Sequence, residues 1–587
     1  MLTLYVMNVN MERKWIVKEE GNPAEVRKLA QELNVDRVLA NLLVKRGIKT
    51  FDQAKNFFRP DLSKLHDPFL MKDMDKAVER LNKAIVNGEH ILIYGDYDVD
   101  GTTAVSLVYT FLRTLTDKLE YYIPDRYDEG YGISYKGIDW AIENKYTLVI
   151  SLDCGIKAVE KVEYAKERGV DFIICDHHLP DDQLPKAVAT LDPKREDCTY
   201  PFDDLSGCGV GFKLVQGYAQ KYNIPFEKIS HLLDLVVVSI AADLVSVVDE
   251  NRVLAFYGLK QINEAPRKGL LPMIKLSGLD KHKISIDDIV FKIGPRINAA
   301  GRMESGRTAV DLLTCRREDD ADKIGATINE HNNDRKNIDR EITLEAINMV
   351  KQSPDFDKRK STVVYNSQWH KGVVGIVASR LVEAYYKPTI VLTNSNGLVN
   401  GSARSIPGFD LYEAIEACSD LLVNFGGHMY AAGLTLKEEN LQEFSDRFES
   451  IVAEKITKEI LTPIVNIDSY LDFKQITPKF FRILNQFQPF GPGNTSPVFV
   501  TENVYDNGNG RIVGSDNGHL KLELIQEDEP YRHISAIAFN KSEHFEHIQG
   551  GNPVDICYSI AENYYRGIAN IQLRIKDIKT REDFKVS

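Results

Sequence analysis

From about residue 76 the chain alternates short apolar runs, Ile91–Tyr94, Leu148–Ser151, Phe172–Cys175 and Ala187–Leu191, with amphipathic stretches. Runs of this length, apolar at consecutive positions, suit strands buried on both faces, so the pattern predicts a βα-repeat around a parallel sheet over residues 76–304. Residues 1–75 place apolar side chains at helical spacing, as in Val35-Asp-Arg-Val-Leu-Ala-Asn-Leu-Leu-Val44, and predict a helical segment with a scaffolding role. Residues 305–354 contain few breakers and set Ile324, Ile328, Ile338, Ile342 and Ala346 among charges. That pattern predicts one long, largely exposed connecting helix of roughly 50 Å. Thr362–Tyr365 and Thr389–Thr393 flank the helical Gly375–Val382, so a second, smaller α/β domain is expected over 355–455. Over 456–587 the period changes to two, in His519–Leu524 and Ile571–Lys576 with Asn-Gly turns between, which predicts an OB-like β-barrel. The expected fold class is therefore α/β with a β-barrel at the C-terminal end.

Composition narrows the partners. The 587 residues exceed one core. A net charge of −13 excludes a uniformly basic coat, so any nucleic-acid contact must be local. The seven cysteines are scattered with no C-x-x-C pair, which argues against a disulfide framework or zinc knuckle and suits a reducing cytoplasm. No run of about 18 apolar residues suggests a membrane span. The opening Met1–Met7 is too short for a signal peptide, and Met11 is an alternative start. Neither a phosphate loop with a terminal Lys-Ser/Thr nor an H-E-x-x-H motif occurs, so ATP-driven and zincin chemistry lack support.

The sharpest chemical signal is Tyr94-Gly-Asp96-Tyr-Asp98-Val-Asp100-Gly101, three acids at alternate positions after an apolar strand and before a helix. In open parallel sheets ligands bind at the carboxyl ends of strands. Asp96 and Asp98 would share a divalent cation there, with Asp100 capping the next helix or supporting its partners. For an isolated cluster the alternative is a helix cap beside solvated acids. The same placement recurs, however: Asp153 follows the strand at 148, Asp176-His177-His178 follows the strand at 172, and Asp243 interrupts the apolar Leu235–Val245. An unpartnered carboxylate in such a stretch is costly. Four carboxylates and one imidazole suit Mn²⁺ or Mg²⁺ better than Zn²⁺, and two such ions can activate water and stabilise an in-line phosphoryl displacement. His177 and His178 read either as turn histidines or as a ligand beside a phosphate contact.

Taken in order, Gly95–Gly101, Ser151-Leu-Asp-Cys-Gly155, Asp176-His-His178 and Ala241-Ala-Asp-Leu244 resemble the motifs of the DHH phosphoesterase superfamily. The resemblance implies Asp96, Asp98, Asp153, His177 and Asp243 as metal ligands and His178 as a substrate contact, with Asp98, Asp153, His177 and His178 carrying catalysis. Where Tyr94 stands, many members have histidine. Gly294–Met303 and Trp369–Ser379 look like segments of the superfamily's single-strand exonucleases, and Gly401-Ser-Ala-Arg404 with Gly426-Gly-His428 like its associated substrate-binding domain; Lys371 stands where proline is frequent. Arg296, Ser402, Arg404, Gly426, Gly427 and His428 are the implied phosphate or DNA contacts, since glycines admit backbone amides close to phosphate and arginines bond it bidentately. Arg302 and Arg307 divide evenly between DNA binding and ordinary salt bridges. The aromatics of Phe487–Gly493 and Tyr564-Tyr-Arg566 read as base-stacking platforms or as core.

The expected function is hydrolysis of single-stranded DNA by metal-activated water to 5′-mononucleotides, with the start at the 5′ end and the setting in repair and recombination implied by the resemblance. The expected enzyme is a monomer outside the membrane, with single-strand binding protein and a RecQ-like helicase as partners implied by the resemblance. The strand is expected to thread between the two α/β domains. Two rivals remain at this point: a DHH enzyme for short substrates such as nanoRNA or phosphoadenosine phosphate, and a non-catalytic DNA-binding scaffold.

Overall fold

The computed structural model describes residues 11–565 and 568–580, and the side chains of all of these except 564, 565, 568 and 569. The chain divides into two compact units, one of Met1–Ala54, Lys336–Asn485 and Ser496–Ser587, the other of Lys55–Arg335 and Gln486–Thr495.

The second of these units is built on a five-stranded, wholly parallel sheet. Its order is Leu119–Tyr122, Ile91–Gly95, Leu148–Leu152, Asp171–Cys175 and Ala189–Leu191. Alternate strand residues enter two different cores, as period-two geometry requires. Ile91, Ile93, Ile150 and Ile173 face one layer with the helices Met74–Asn87, Val99–Leu112 and Gly207–Lys221. Leu92, Tyr94, Val149 and Ile174 face another with Tyr135–Glu143 and Val159–Lys166. The apolar runs read from the sequence are therefore strands buried on both faces. Leu119-Glu-Tyr-Tyr122 escaped that reading because it is an edge strand, half-buried and broken by Glu120. From Ile91–Gly95 the chain crosses to one side for Leu119–Tyr122 and to the other for Leu148–Leu152. That reversal opens a crevice at the carboxyl ends of the two central strands.

In the other unit, Leu422–His428, Ala431–Leu436, Leu398–Arg404, Thr389–Ser395 and Thr362–Tyr365 form a mixed five-stranded sheet with Val374–Tyr385 and Leu441–Lys455. Phe499–Asp506, Val554–Tyr565, Ile568–Lys579, Glu529–Ala538 and His519–Gln526 pair in that order, and a further pairing between Phe499–Asp506 and His519–Gln526 closes them into a five-stranded barrel.

Two further elements depart from the sequence reading. Lys14–Val17 is a strand, paired in parallel with Ile464–Ile467, and Trp15 Nε1 donates to Asp577 Oδ2 at 2.8 Å. Four residues are too few to show a period against the helices Pro23–Leu33 and Arg37–Lys45 that follow. The long helix is Glu318–Gln352, 35 residues, with Glu318, Asp319 and Asp320 in its first turn where the helix dipole favours acids. Gly306–Leu313 is a separate helix before it.

Candidate active site

The crevice at the ends of the central strands gathers the acids. Asp96 follows Ile91–Gly95 and is fully buried; Gly132 N donates to its Oδ1 at 3.4 Å, while Oδ2 is buried without a protein partner. Asp98 is the N-cap of Val99–Leu112 and accepts from Gly101 N at 3.0 Å. Asp100 turns the other way, accepting from Gly207 N and Cys208 N, both at 2.7 Å, and from Ser239 Oγ at 2.6 Å. It thereby ties the start of Gly207–Lys221 to the cluster. Gly207 packs so tightly there that a Cβ would stand 2.6 Å from Asp153 Cβ.

His177 Nε2 is the centre of this group. It lies 3.1 Å from Asp153 Oδ1, 3.6 Å from Asp243 Oδ2 and 3.7 Å from Asp100 Oδ2. Ligand atoms of Asp153, His177 and His178 all fall within 4.8 Å of one another, as do those of Asp100, His177 and Asp243. Asp96 and Asp98 belong to neither group, but their charges raise the Asp153 carboxyl. The structure thus gathers two sets of groups around His177, Asp153 with His178 and Asp100 with Asp243, and sets Asp96 and Asp98 beside them.

The role of Asp176 was not legible in the motif. Its Oδ1 accepts from His177 N at 2.8 Å, from His178 N at 3.2 Å and from His178 Nδ1 at 2.7 Å; its Oδ2 accepts from Ile156 N. Burial works against its charge, yet the bonds from His178 and the backbone hold its carboxyl at about 2. Tyr131, which sequence reasoning also passed over, has its hydroxyl 3.2 Å from His178 Nε2 and donates to Asp153 O at 3.1 Å. Both ring nitrogens of His178 are then engaged as donors. Although burial lowers it, Asp176 raises the imidazole to about 9, so His178 is charged at neutral pH. Burial pushes His177 the opposite way and favours its neutral form. Asp192 follows Ala189–Leu191 as the other acids follow their strands, and burial raises it to about 7.

Burial raises Asp96, Asp98, Asp153 and Asp243 together, and their mutual repulsion adds to it; Asp243 reaches about 8. Oxygen donors in excess, one neutral imidazole and an unpartnered buried carboxylate oxygen fit a hard divalent cation, which would offset the repulsion. An acid whose folded value lies above its ordinary value near 4 stabilises the fold only while protonated, and His178 likewise loses its contribution as pH rises through about 9. The metal-free protein is therefore expected to melt at progressively lower temperature between pH 4 and pH 8 in calorimetry, and Mn²⁺ to raise the melting temperature more at pH 8 than at pH 5.

Tyr94 is a core residue: it points into the other layer, donating to Gly132 O at 3.0 Å and accepting from Ser134 N. It anchors the segment that contacts Asp96 and takes no place among the acids.

The implied phosphate contacts divide. In the mixed sheet, the register aligns Ser402 with Gly433 and Gly426, and Arg404 with Ala431 and His428. Arg404 Nη1 donates to Ser402 Oγ at 3.0 Å, and a Cβ on Gly375, at the start of Val374–Tyr385, would lie 2.9 Å from that oxygen. Gly427, at φ 148°, has no room for a side chain beside Ala431 and Ala432. A helix start, a hydroxyl and a guanidinium in one place suit an anion. Arg296 is elsewhere employed: it donates to Asn329 Oδ1, Lys292 O and Leu276 O at 2.6–3.2 Å. Arg307 pairs with Glu120 and stacks on Tyr121, the ordinary fate of a helical arginine. Of the stretch Tyr564-Tyr-Arg566, the tyrosine side chains and Arg566 lie outside the described residues.

Residues 90–240 match the DHH family, N-terminal domain; 359–454 match the DHHA1 domain; and 467–577 match the RecJ OB domain. The chain is 38% identical over 560 residues to the single-stranded-DNA-specific exonuclease RecJ of Bacillus subtilis (strain 168), a match covering 95% of this chain and 70% of that one. It is 30% identical over 591 residues to the protein of the same name in Escherichia coli (strain K12), with 97% and 99% covered. The crystal structure of RecJ in complex with Mn²⁺ from Thermus thermophilus superposes with a TM-score of 0.82 at 25% identity, covering 97% of this chain and 79% of that one.

Proposed function

Because the chain belongs to the RecJ family of single-stranded-DNA-specific exonucleases, we propose that the crevice around His177 is its hydrolytic centre. Asp96, Asp98, Asp153, His177 and Asp243 would hold Mn²⁺ or Mg²⁺ there. The observation that carries this reading is the convergence of Asp153 and Asp243 on one buried imidazole nitrogen, His177 Nε2, at 3.1 and 3.6 Å. When bound, divalent cations supply acidity to a water molecule and positive charge to the phosphodiester oxygens.

The chain's own residues do the rest. His177, neutral through burial, offers a lone pair at Nε2. His178 keeps its proton at neutral pH and its side chain is 42% exposed, so by exchanging the Tyr131 hydroxyl at Nε2 it would donate to a phosphate oxygen or the leaving oxygen. Asp176 fixes the ring of His178 and the backbone of His177, and Asp98 doubles as a helix cap. Ser402, Arg404 and Gly427 would hold a phosphate of the strand.

We assign the enzyme a 5′→3′ polarity, release of 5′-mononucleotides and a place in repair and recombination. The family also motivates reading it as a cytoplasmic monomer working beside single-strand binding protein and a RecQ-like helicase. Among the described residues no helix is long and apolar enough to cross a membrane. With Mn²⁺, a long 5′-labelled single strand is expected to be degraded to mononucleotides while the matching blunt duplex persists. Degradation confined to dinucleotides would instead make the protein a short-substrate phosphodiesterase, and binding without cleavage would make it a scaffold.

A further inference from the structure

Asp243 sits at the end of Leu233–Ala242, followed by a backbone that has to be held. Leu244 takes φ 57° and Asp249 φ 43°, left-handed values at non-glycine residues, and Leu244 is 57% exposed. Each such residue costs on the order of 1 kcal/mol or more, so neighbouring contacts must impose the turn. Asn251 Nδ2 donates to Ser246 O at 2.9 Å within the turn, and Ser246 N donates to Asp204 Oδ2 at 2.9 Å. Val247 N donates to Pro492 O at 2.7 Å.

Pro492 lies in Gln486–Thr495, a stretch remote in sequence that belongs to the same compact unit as the acids. The Phe-Gln-Pro-Phe-Gly-Pro-Gly run in it, which the sequence suggests as an aromatic entrance to the barrel, is a docked loop instead. The buried Arg252 gathers it, donating to the carbonyls of Gln486, Phe487, Gln488 and Pro489 at 3.0–3.4 Å while stacking on Phe57. Asn494 Nδ2 closes it on Phe487 O and Pro489 O, both at 2.8 Å. Its glycines allow the approach: a Cβ at Gly491 would overlap Val247 Cγ2, and one at Gly493 would stand 2.9 Å from Val248 Cγ1.

We infer that the Gln486–Thr495 loop is a positioning element of the catalytic centre, which by docking on Val247 and Val248 holds the turn that follows Asp243 and so fixes where that helix end sets Asp243 beside His177. The inference rests on the reading of Asp243 as a metal ligand. Groups that orient ligands from behind change metal affinity by roughly 10–100-fold when altered, and this loop acts through the backbone of one ligand.

The test measures Mn²⁺ binding to the full-length chain at equilibrium, from the paramagnetic resonance signal of the free ion, with circular dichroism and melting temperature recorded for each protein. Gly491→Ala is expected to keep the fold and weaken Mn²⁺ binding about ten-fold. Adding Val247→Ala removes the overlapping methyl, leaving the nearest Val247 atom 3.3 Å away, and should return most of the affinity. Asp243→Ala serves as reference and should lose more. If Gly491→Ala binds Mn²⁺ like the wild type while Asp243→Ala does not, the loop has no positioning role and the metal reading stands. If Asp243→Ala also binds like the wild type, the metal reading fails first. Should Gly491→Ala not fold, Asn494→Ala, which removes two loop bonds without adding volume, decides in the same way: weaker binding supports the inference and unchanged binding overturns it.

Discussion

Asp98→Asn is expected to slow hydrolysis of a 5′-labelled single strand by roughly 10³-fold, about 4 kcal/mol of barrier, while the strand is still bound. The substitution separates the two duties of this residue. An asparagine oxygen caps a helix as well as an aspartate oxygen does, so the bond from Gly101 N at 3.0 Å and the helix Val99–Leu112 survive. The negative charge does not. Asp98 is one of the groups raising its neighbours Asp153 and Asp243, so removing its charge relaxes the repulsion that a cation would otherwise offset. Melting temperature without metal should therefore hold or rise, whereas Mn²⁺-dependent turnover collapses. Turnover at the wild-type rate would exclude Asp98 from the centre.

The second large effect is expected at the other implied phosphate site. Arg404→Ala removes a guanidinium held against Ser402 Oγ at 3.0 Å and Ala403 O at 2.8 Å, close to the start of the helix Val374–Tyr385. A hydrogen bond to a charged group contributes about 1.5–3 kcal/mol, which corresponds to roughly 10–100-fold in affinity for the strand. Fluorescence anisotropy with a labelled oligonucleotide should show that loss, with Mn²⁺ binding unaltered. An unchanged strand affinity would remove Arg404 from the substrate path.

The reading of the chain from its sequence succeeded where one physical constraint acted alone. Strands buried on both faces leave unbroken apolar runs, so Ile91–Gly95, Leu148–Leu152 and Asp171–Cys175 were visible, and the acids after them were visible because a carboxylate at a buried strand end has few structural uses. It failed where placement depends on tertiary context. Leu119–Tyr122 is an edge strand with a mixed face, and Lys14–Val17 is too short to show a period. Asp176 and Tyr131 act through His178, a relation set by the turn geometry and by a loop crossing from residue 131. Arg296 illustrates the converse: its residue type suits phosphate, but its partners are Asn329 and two backbone carbonyls. The loop at Gln486–Thr495 was placed with the barrel by sequence proximity, whereas Arg252 draws it into the unit that holds the acids.

The hydrolytic reading depends on divalent ions bound among Asp96, Asp98, Asp153, His177 and Asp243. Anomalous diffraction at the manganese edge from crystals grown with Mn²⁺ tests this directly. The account predicts anomalous density in contact with His177 Nε2 and with the carboxylates of Asp153 and Asp243. Density absent from that crevice, with the strand nonetheless cleaved in the same Mn²⁺ solution, would contradict it.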